Sequence, residues 1–174
     1  ACYYANLMQA DDAMGRVLAA LRELRLEDDT IVLYLSDHGD MVGDKGLWLK
    51  FIMYENSVGV PLMFRAPGMT KGGARCAAVA SLTQVLPTLA ELCGISVPAN
   101  LDGKSLAPSL RDPAARIDSR AYAEINLNGP GSKQMIRRGD FKYCYNANDM
   151  EQLYDLRRDP DEMTNLALRP EHKE

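Results

Sequence analysis

The run TIVLYLS, residues 30–36, constrains the fold more than any other stretch of this chain. Its β-branched and aliphatic side chains follow one another with no polar alternation. Such a strand is covered on both faces, as in the parallel sheets of α/β domains. The flanks agree with that reading. Upstream, Leu7, Ala10, Met14, Val17, Leu18 and Leu21 recur at helical spacing, so residues 3–25 read as an amphipathic helix, and the polar turn LEDDT separates it from the strand. Downstream lies a glycine-rich loop, residues 37–50, the sequence DHGDMVGDKGLWLK. Helix, short turn and buried strand together form a unit of an α/β domain.

The next elements follow the same logic. GVPLMFRAPG, residues 59–68, reads as a second buried strand closed by Pro67-Gly68. VASLTQVLPTLAELCGI, residues 79–95, reads as a helix with Pro87 near its start or at a kink and Gly94 just past its end. Residues 96–119 are a Pro- and Gly-rich linker with a short helical turn near SLAPSLRD. The last third changes character. AYAEI (121–125), KQMIRR (133–138), FKYCYN (141–146) and EQLYDL (151–156) are short, partly alternating and separated by turns, with Gly139-Asp140 as a hairpin signal. They predict a small antiparallel sheet of three or four strands, followed by a polar tail. The expected organisation is therefore an α/β part over residues 1–118 and an antiparallel β subdomain over 119–174.

Composition narrows the function classes. With 174 residues, 47% hydrophobic and 25% charged, the chain has material for an ordinary core. Lys+Arg 20 against Asp+Glu 24 leaves a net charge of −4, which gives no electrostatic reason to expect nucleic acid or an anionic membrane as partner. No apolar run approaches the ~20 residues of a membrane span. The N-terminal ACYYANLMQADD lacks a basic start and a long apolar stretch, so no signal peptide is expected, and the compartment stays open between cytoplasm and periplasm. Cys2, Cys76, Cys93 and Cys144 form no C-x-x-C pair and sit among apolar residues. They read as buried free thiols, with one disulfide as the alternative.

The chemistry concentrates at the end of the first strand. Ligands of open α/β sheets bind beyond the carboxyl ends of strands, and Asp37 and His38 are the first residues there. A carboxylate and a neutral imidazole can face one divalent cation, although two ligands are too few for a tight site. The plainer alternative is that Asp37 caps its own turn and His38 is a polar loop residue. Lys50 lies within ~15 residues of the pair, close enough for the loop to fold back over one site, where its ammonium could meet an oxyanion. An isolated lysine is otherwise a solvated surface residue.

The stretch SDHGDMVGDKGLWLKFIMYENSVGVPLMFRAPG resembles the late core motif of the sulfatase family, within the alkaline phosphatase superfamily. The resemblance continues through the preceding helix and strand, then SLTQVLPTLAELCGI, LDGKSLAPSL, MIRRGDFKYCYN and EQLYDLRRDPDEMTNLA, in family order over nearly the whole chain. It implies the C-terminal part of an alkaline-phosphatase-like doubly wound sheet followed by the small antiparallel subdomain. It implies that Asp37 and His38 ligate a divalent cation, Ca2+ foremost, and that Lys50 contacts the sulfate of a small-molecule sulfate ester. Imidazole also suits Mn2+ or Zn2+. Phosphonate and phosphate ester hydrolases of the same superfamily are thus the alternative.

The resemblance also implies what these residues lack. Sulfatases attack with a formylglycine made from Cys or Ser in a C/S-x-P-x-R motif, and none of the four cysteines or the serines stands in that pattern. A formylglycine is then expected only on an N-terminal part outside these 174 residues, and the chain alone is expected to be inactive, at most a scaffold or assembly interface. Half of a doubly wound sheet leaves apolar surface uncovered, so self-association or association with that N-terminal half is expected. Three positions depart from the family pattern: Gln84 replaces an Asp before PT, Gly59 replaces a larger residue before VP, and Lys45 replaces a His.

Overall fold

A computed structural model describes residues 2–125, 129 and 131–172. In chain order the elements are α1 (Cys2–Glu23), β1 (Val32–Leu35), α2 (Glu55–Val58), β2 (Leu62–Arg65), α3 (Val85–Leu92), α4 (Ala107–Arg111), β3 (Arg120–Ile125), β4 (Lys133–Arg138), β5 (Phe141–Asn146) and β6 (Gln152–Asp155). The expected α/β class holds, as does the antiparallel sheet of the last third, whose strand order is β3-β4-β5-β6. The final two residues of the polar tail lie outside the described residues.

Several expectations change, first those for the strands: β2, expected to be buried, alternates half-buried and exposed positions. β1 and β2 pair antiparallel, with Val32 opposite Arg65 and Leu35 opposite Leu62, where the unbroken apolar run suggested parallel neighbours. An apolar run reports coverage on both faces and carries no information on the direction of the adjacent strand. β1 is moreover only half-buried along its length.

α1 has the expected span but no buried residue, and Leu7, Val17 and Leu18 of its apolar stripe are 47%, 63% and 41% exposed. Its amphipathic pattern is thus a face without a cover among the described residues. It is not long and apolar enough to cross a membrane, nor is any other described helix.

α3 ends as expected. Gly94 adopts φ +68, its N–H donates to Glu91 O, and Ile95 N–H donates to Ala90 O, the paired bonds of a Schellman motif. Gln84 has a structural job at the other end: its Oε1 accepts from Ser81 N at 2.8 Å and its Nε2 donates to Lys104 O at 3.0 Å. Buried Thr88 donates to Gln84 O and accepts from Leu106 N, which ties α3 to the approach to α4.

The core has two centres. Ala66, Leu92 and Ala107 pack with Ile31, Phe64, Met69 and Leu110. Met53, Met135 and Cys144 pack with Val58, Ala121, Ala123 and Ile125, joining the segment before α2 to the antiparallel sheet. The cysteines need correction: all four are free thiols, but only Cys144 is buried, while Cys2, Cys76 and Cys93 are exposed. Burial pushes the Cys144 thiol up to about 11.

Candidate functional site

The end of β1 opens into a loop that returns on itself. Met41 N–H donates to Leu49 O and Gly43 N–H to Leu47 O, so residues 41–49 fold as a closed excursion. Asp40 pins it: its Oδ1 accepts from Val42 N at 2.8 Å and from Leu49 N at 3.2 Å. The base of the loop is fixed by Gly39, whose N–H donates to Ser57 O at 2.8 Å. A Cβ at Gly39 would come within 1.9 Å of Asn56 O, so this close approach admits only glycine.

The result is that Lys50 returns to the strand end. Its ammonium contacts His38 Nε2. Asp37 Oδ2 lies 3.7 Å from the same nitrogen, and the Asp37 side chain is 84% exposed. Asp37, His38 and Lys50 therefore meet in space, and all three open onto one cleft, whose other walls include Tyr122, Glu124 and Arg137. The plainer alternative for Asp37 is present as well: its Oδ1 accepts from His38 N at 3.0 Å while Oδ2 faces outward. One oxygen orients the turn and the other remains free.

The imidazole is oriented by its other nitrogen. His38 Nδ1 lies 2.8 Å from Gly39 O, a carbonyl that can only accept. The proton is thereby assigned to Nδ1, and Nε2 carries the lone pair. Ser36 Oγ donates to His38 O at 2.8 Å and steadies the backbone. This arrangement fits a divalent cation at Asp37 and His38: one free carboxylate oxygen and one unprotonated imidazole nitrogen, fixed through Nδ1 as metal-binding imidazoles are. Among the described residues no group of three or more His, Cys, Asp or Glu side chains gathers into a metal cluster.

Two features were not singled out from the sequence. Asp40 is one; the signal for it was an aspartate two residues before a turn, the spacing at which a side chain bonds its own backbone. The other is a buried charge network. Lys142, 0% exposed, lies against Glu162 and bonds Met53 O at 2.7 Å and Glu55 Oε1 at 3.1 Å. Arg137 Nη1 meets Glu55 Oε2 at 2.7 Å, and Glu55 N–H donates to Glu162 Oε2 at 2.7 Å. The inward place of Lys142 was readable from β5, where it shares a face with Cys144 and Asn146 at period two. Lys45, the departure from the family's His, is committed elsewhere: its ammonium contacts Asp161 O and lies 5.0 Å over the Tyr54 ring. Of the tyrosines in the antiparallel sheet, Tyr154 is buried against Tyr54, and none of Tyr143, Tyr145 and Tyr154 lines the cleft.

Comparison with known proteins identifies the family. The sequence profile of the family described as Sulfatase matches residues 1–95. The chain is similar to the choline-sulfatase of Rhizobium meliloti (strain 1021), 41% identical over 97% of this chain and 33% of that protein. It superposes with TM-score 0.86 on a protein solved with its substrate D-glucosamine-2-N,6-O-disulfate, 31% identical over 95% of this chain and 35% of the other. It also superposes with TM-score 0.75 on the phosphonate monoester hydrolase of Agrobacterium radiobacter, 31% identical over 94% of this chain and 36% of the other. The chain spans about a third of the length of the curated relatives it matches. The match in sequence runs through the strand end and loop that join Asp37, His38 and Lys50, and with it the chain belongs to the sulfatase family, in the alkaline phosphatase superfamily.

Proposed function

We propose that this chain is the C-terminal portion of a divalent-cation-dependent sulfuric ester hydrolase. Asp37 and His38 supply part of the cation's ligands and Lys50 contacts the sulfate. The observation that carries the reading is the convergence of these three side chains at the end of β1, on one cleft. A divalent cation, Ca2+ or alternatively Mn2+ or Zn2+, supplies Lewis-acid polarisation of the sulfuryl oxygens. The chain's own residues do the rest. Gly39 O keeps the imidazole in the tautomer that offers Nε2. The Nε2 lone pair accepts one partner only. When it serves a cation, the Lys50 ammonium on its flexible stem is free to offset charge on the oxyanion.

The nucleophile in this reading is a formylglycine on the N-terminal part, so the 174 residues alone turn over no ester. The test uses the full-length protein. Its coding sequence should carry C/S-x-P-x-R upstream, and the purified protein should release sulfate from an aryl sulfate and contain a bound divalent cation. An unmodifiable residue at that position would sink the reading, as would sulfate release by the 174-residue chain alone.

A second reading keeps the site and changes the substrate to a phosphonate or phosphate ester. It is favoured by the likeness to a phosphonate monoester hydrolase and by the imidazole donor of His38, which suits Mn2+ or Zn2+. Side-by-side turnover of aryl sulfate and aryl phosphonate decides between them.

A further inference from the structure

The Lys50 backbone is held in an unusual way. Leu49 and Phe51, on either side of it, are both non-glycine residues with positive φ, +66 and +69. Two such residues flanking a single position relax to ordinary conformations unless their surroundings over-determine them. On the Leu49 side the restraint is local, from Asp40. On the Phe51 side it comes from the antiparallel sheet. Lys133 of β4 donates to Phe51 O at 3.0 Å, and Lys142 of β5 donates to Met53 O at 2.7 Å. Lys142 and Arg137 then grip the Glu55 carboxylate from two sides.

Burying an ammonium as Lys142 is buried is a costly way to join two layers. An apolar side chain of similar size holds a layer interface as well or better. What an apolar side chain lacks is a directed bond to one backbone carbonyl. The segment so gripped, residues 51–55, is the one that continues directly from Lys50. We propose that Lys133 and Lys142 are positioning residues: through Phe51 and Met53 they hold the strained backbone that keeps the Lys50 ammonium on His38, beside Asp37. This rests on the reading of Lys50 as the sulfate contact.

The experiment uses the full-length protein with K50A, K133M, K142M and the double variant K50A/K133M. It reads kcat and KM on an aryl sulfate, and hydrogen–deuterium exchange over residues 47–56 and 141–146. K133M should lower kcat about 10- to 100-fold, the scale at which small misplacements act. Exchange should rise in residues 47–56 while β5 stays protected. The double variant should be no slower than K50A, because Lys133 acts only through Lys50. Should K142M fail to fold, the half-exposed Lys133 decides the matter. K133M with unchanged kcat and exchange, beside an inactive K50A, overturns this inference alone. So does a double variant whose losses multiply. A fully active K50A overturns the reading of Lys50 and this inference with it.

Discussion

Asp37 Oδ2 and His38 Nε2 lie 3.7 Å apart, consecutive in sequence yet turned so that both face the same cleft. Two donor atoms at that spacing suit one cation between them. Replacing either by alanine in the full-length protein should lower kcat/KM at least about 100-fold and reduce bound divalent metal. Metal analysis beside kinetics checks this, and full metal content in both variants would refute the assignment.

Gly39 makes the site's geometry possible, since a Cβ there would meet Asn56 O at 1.9 Å. G39A should cost about 2–3 kcal/mol in urea unfolding, because backbone rather than a flexible side chain must move. It should also weaken metal binding, since His38 is the neighbour that shifts. A variant as stable as the parent would show that the strand end is softer than its hydrogen bonds suggest.

Thr88 is fully buried and uses its hydroxyl twice, donating to Gln84 O at 2.6 Å and accepting from Leu106 N at 2.8 Å. T88V keeps the shape and strands the Leu106 N–H. The expected loss is about 1–3 kcal/mol. Unfolding of T88V beside the parent measures it, and a neutral effect would mean that another group takes over the Leu106 N–H.

The thiols should separate into two classes. Cys144 is buried with its pKa pushed up to about 11, so at pH 8 it is almost wholly the unreactive thiol. Cys2, Cys76 and Cys93 are exposed. A thiol-specific reagent should titrate three groups in the native 174-residue chain and the fourth only after unfolding. Four fast-reacting groups would contradict the packing around Met53 and Met135.

Asp159 organises the tail that Lys45 contacts. Its two oxygens accept from Met163 N at 3.0 Å and Thr164 N at 2.7 Å, and these bonds hold its carboxyl below the usual carboxylate range. A depressed folded pKa contributes stability above the ordinary aspartate range and loses it as pH falls through the folded value. The Tm of D159N should therefore lie below that of the parent at pH 6, and the gap should close as pH falls below the ordinary aspartate range. A gap that persists undiminished at low pH would rule out the carboxylate as its origin.

Much of this was legible in the chain itself. The span of α1, the four strands β3 to β6 and the glycine after α3 follow from periodicity and turn residues, whose causes are near neighbours in sequence. Asp37, His38 and Lys50 were legible as candidates because they follow a strand end in a family-like order. Asp40, Lys142 and Glu162 were harder to see. The turn spacing of Asp40 and the inward side of Lys142 were readable, but the local pattern does not reveal that they bond Leu49 and Met53.

The sequence by itself determined the elements, their order and the family, since helix, strand and turn preferences act over a few residues. The tertiary structure alone decided that β1 and β2 run antiparallel, that the stripe of α1 stays uncovered among the described residues, and that Lys50 reaches His38. It alone decided that Lys142 bonds Met53, 89 positions away. Such contacts depend on how separate elements close on one another, and a local pattern of polar and apolar side chains specifies which face is covered without specifying by what.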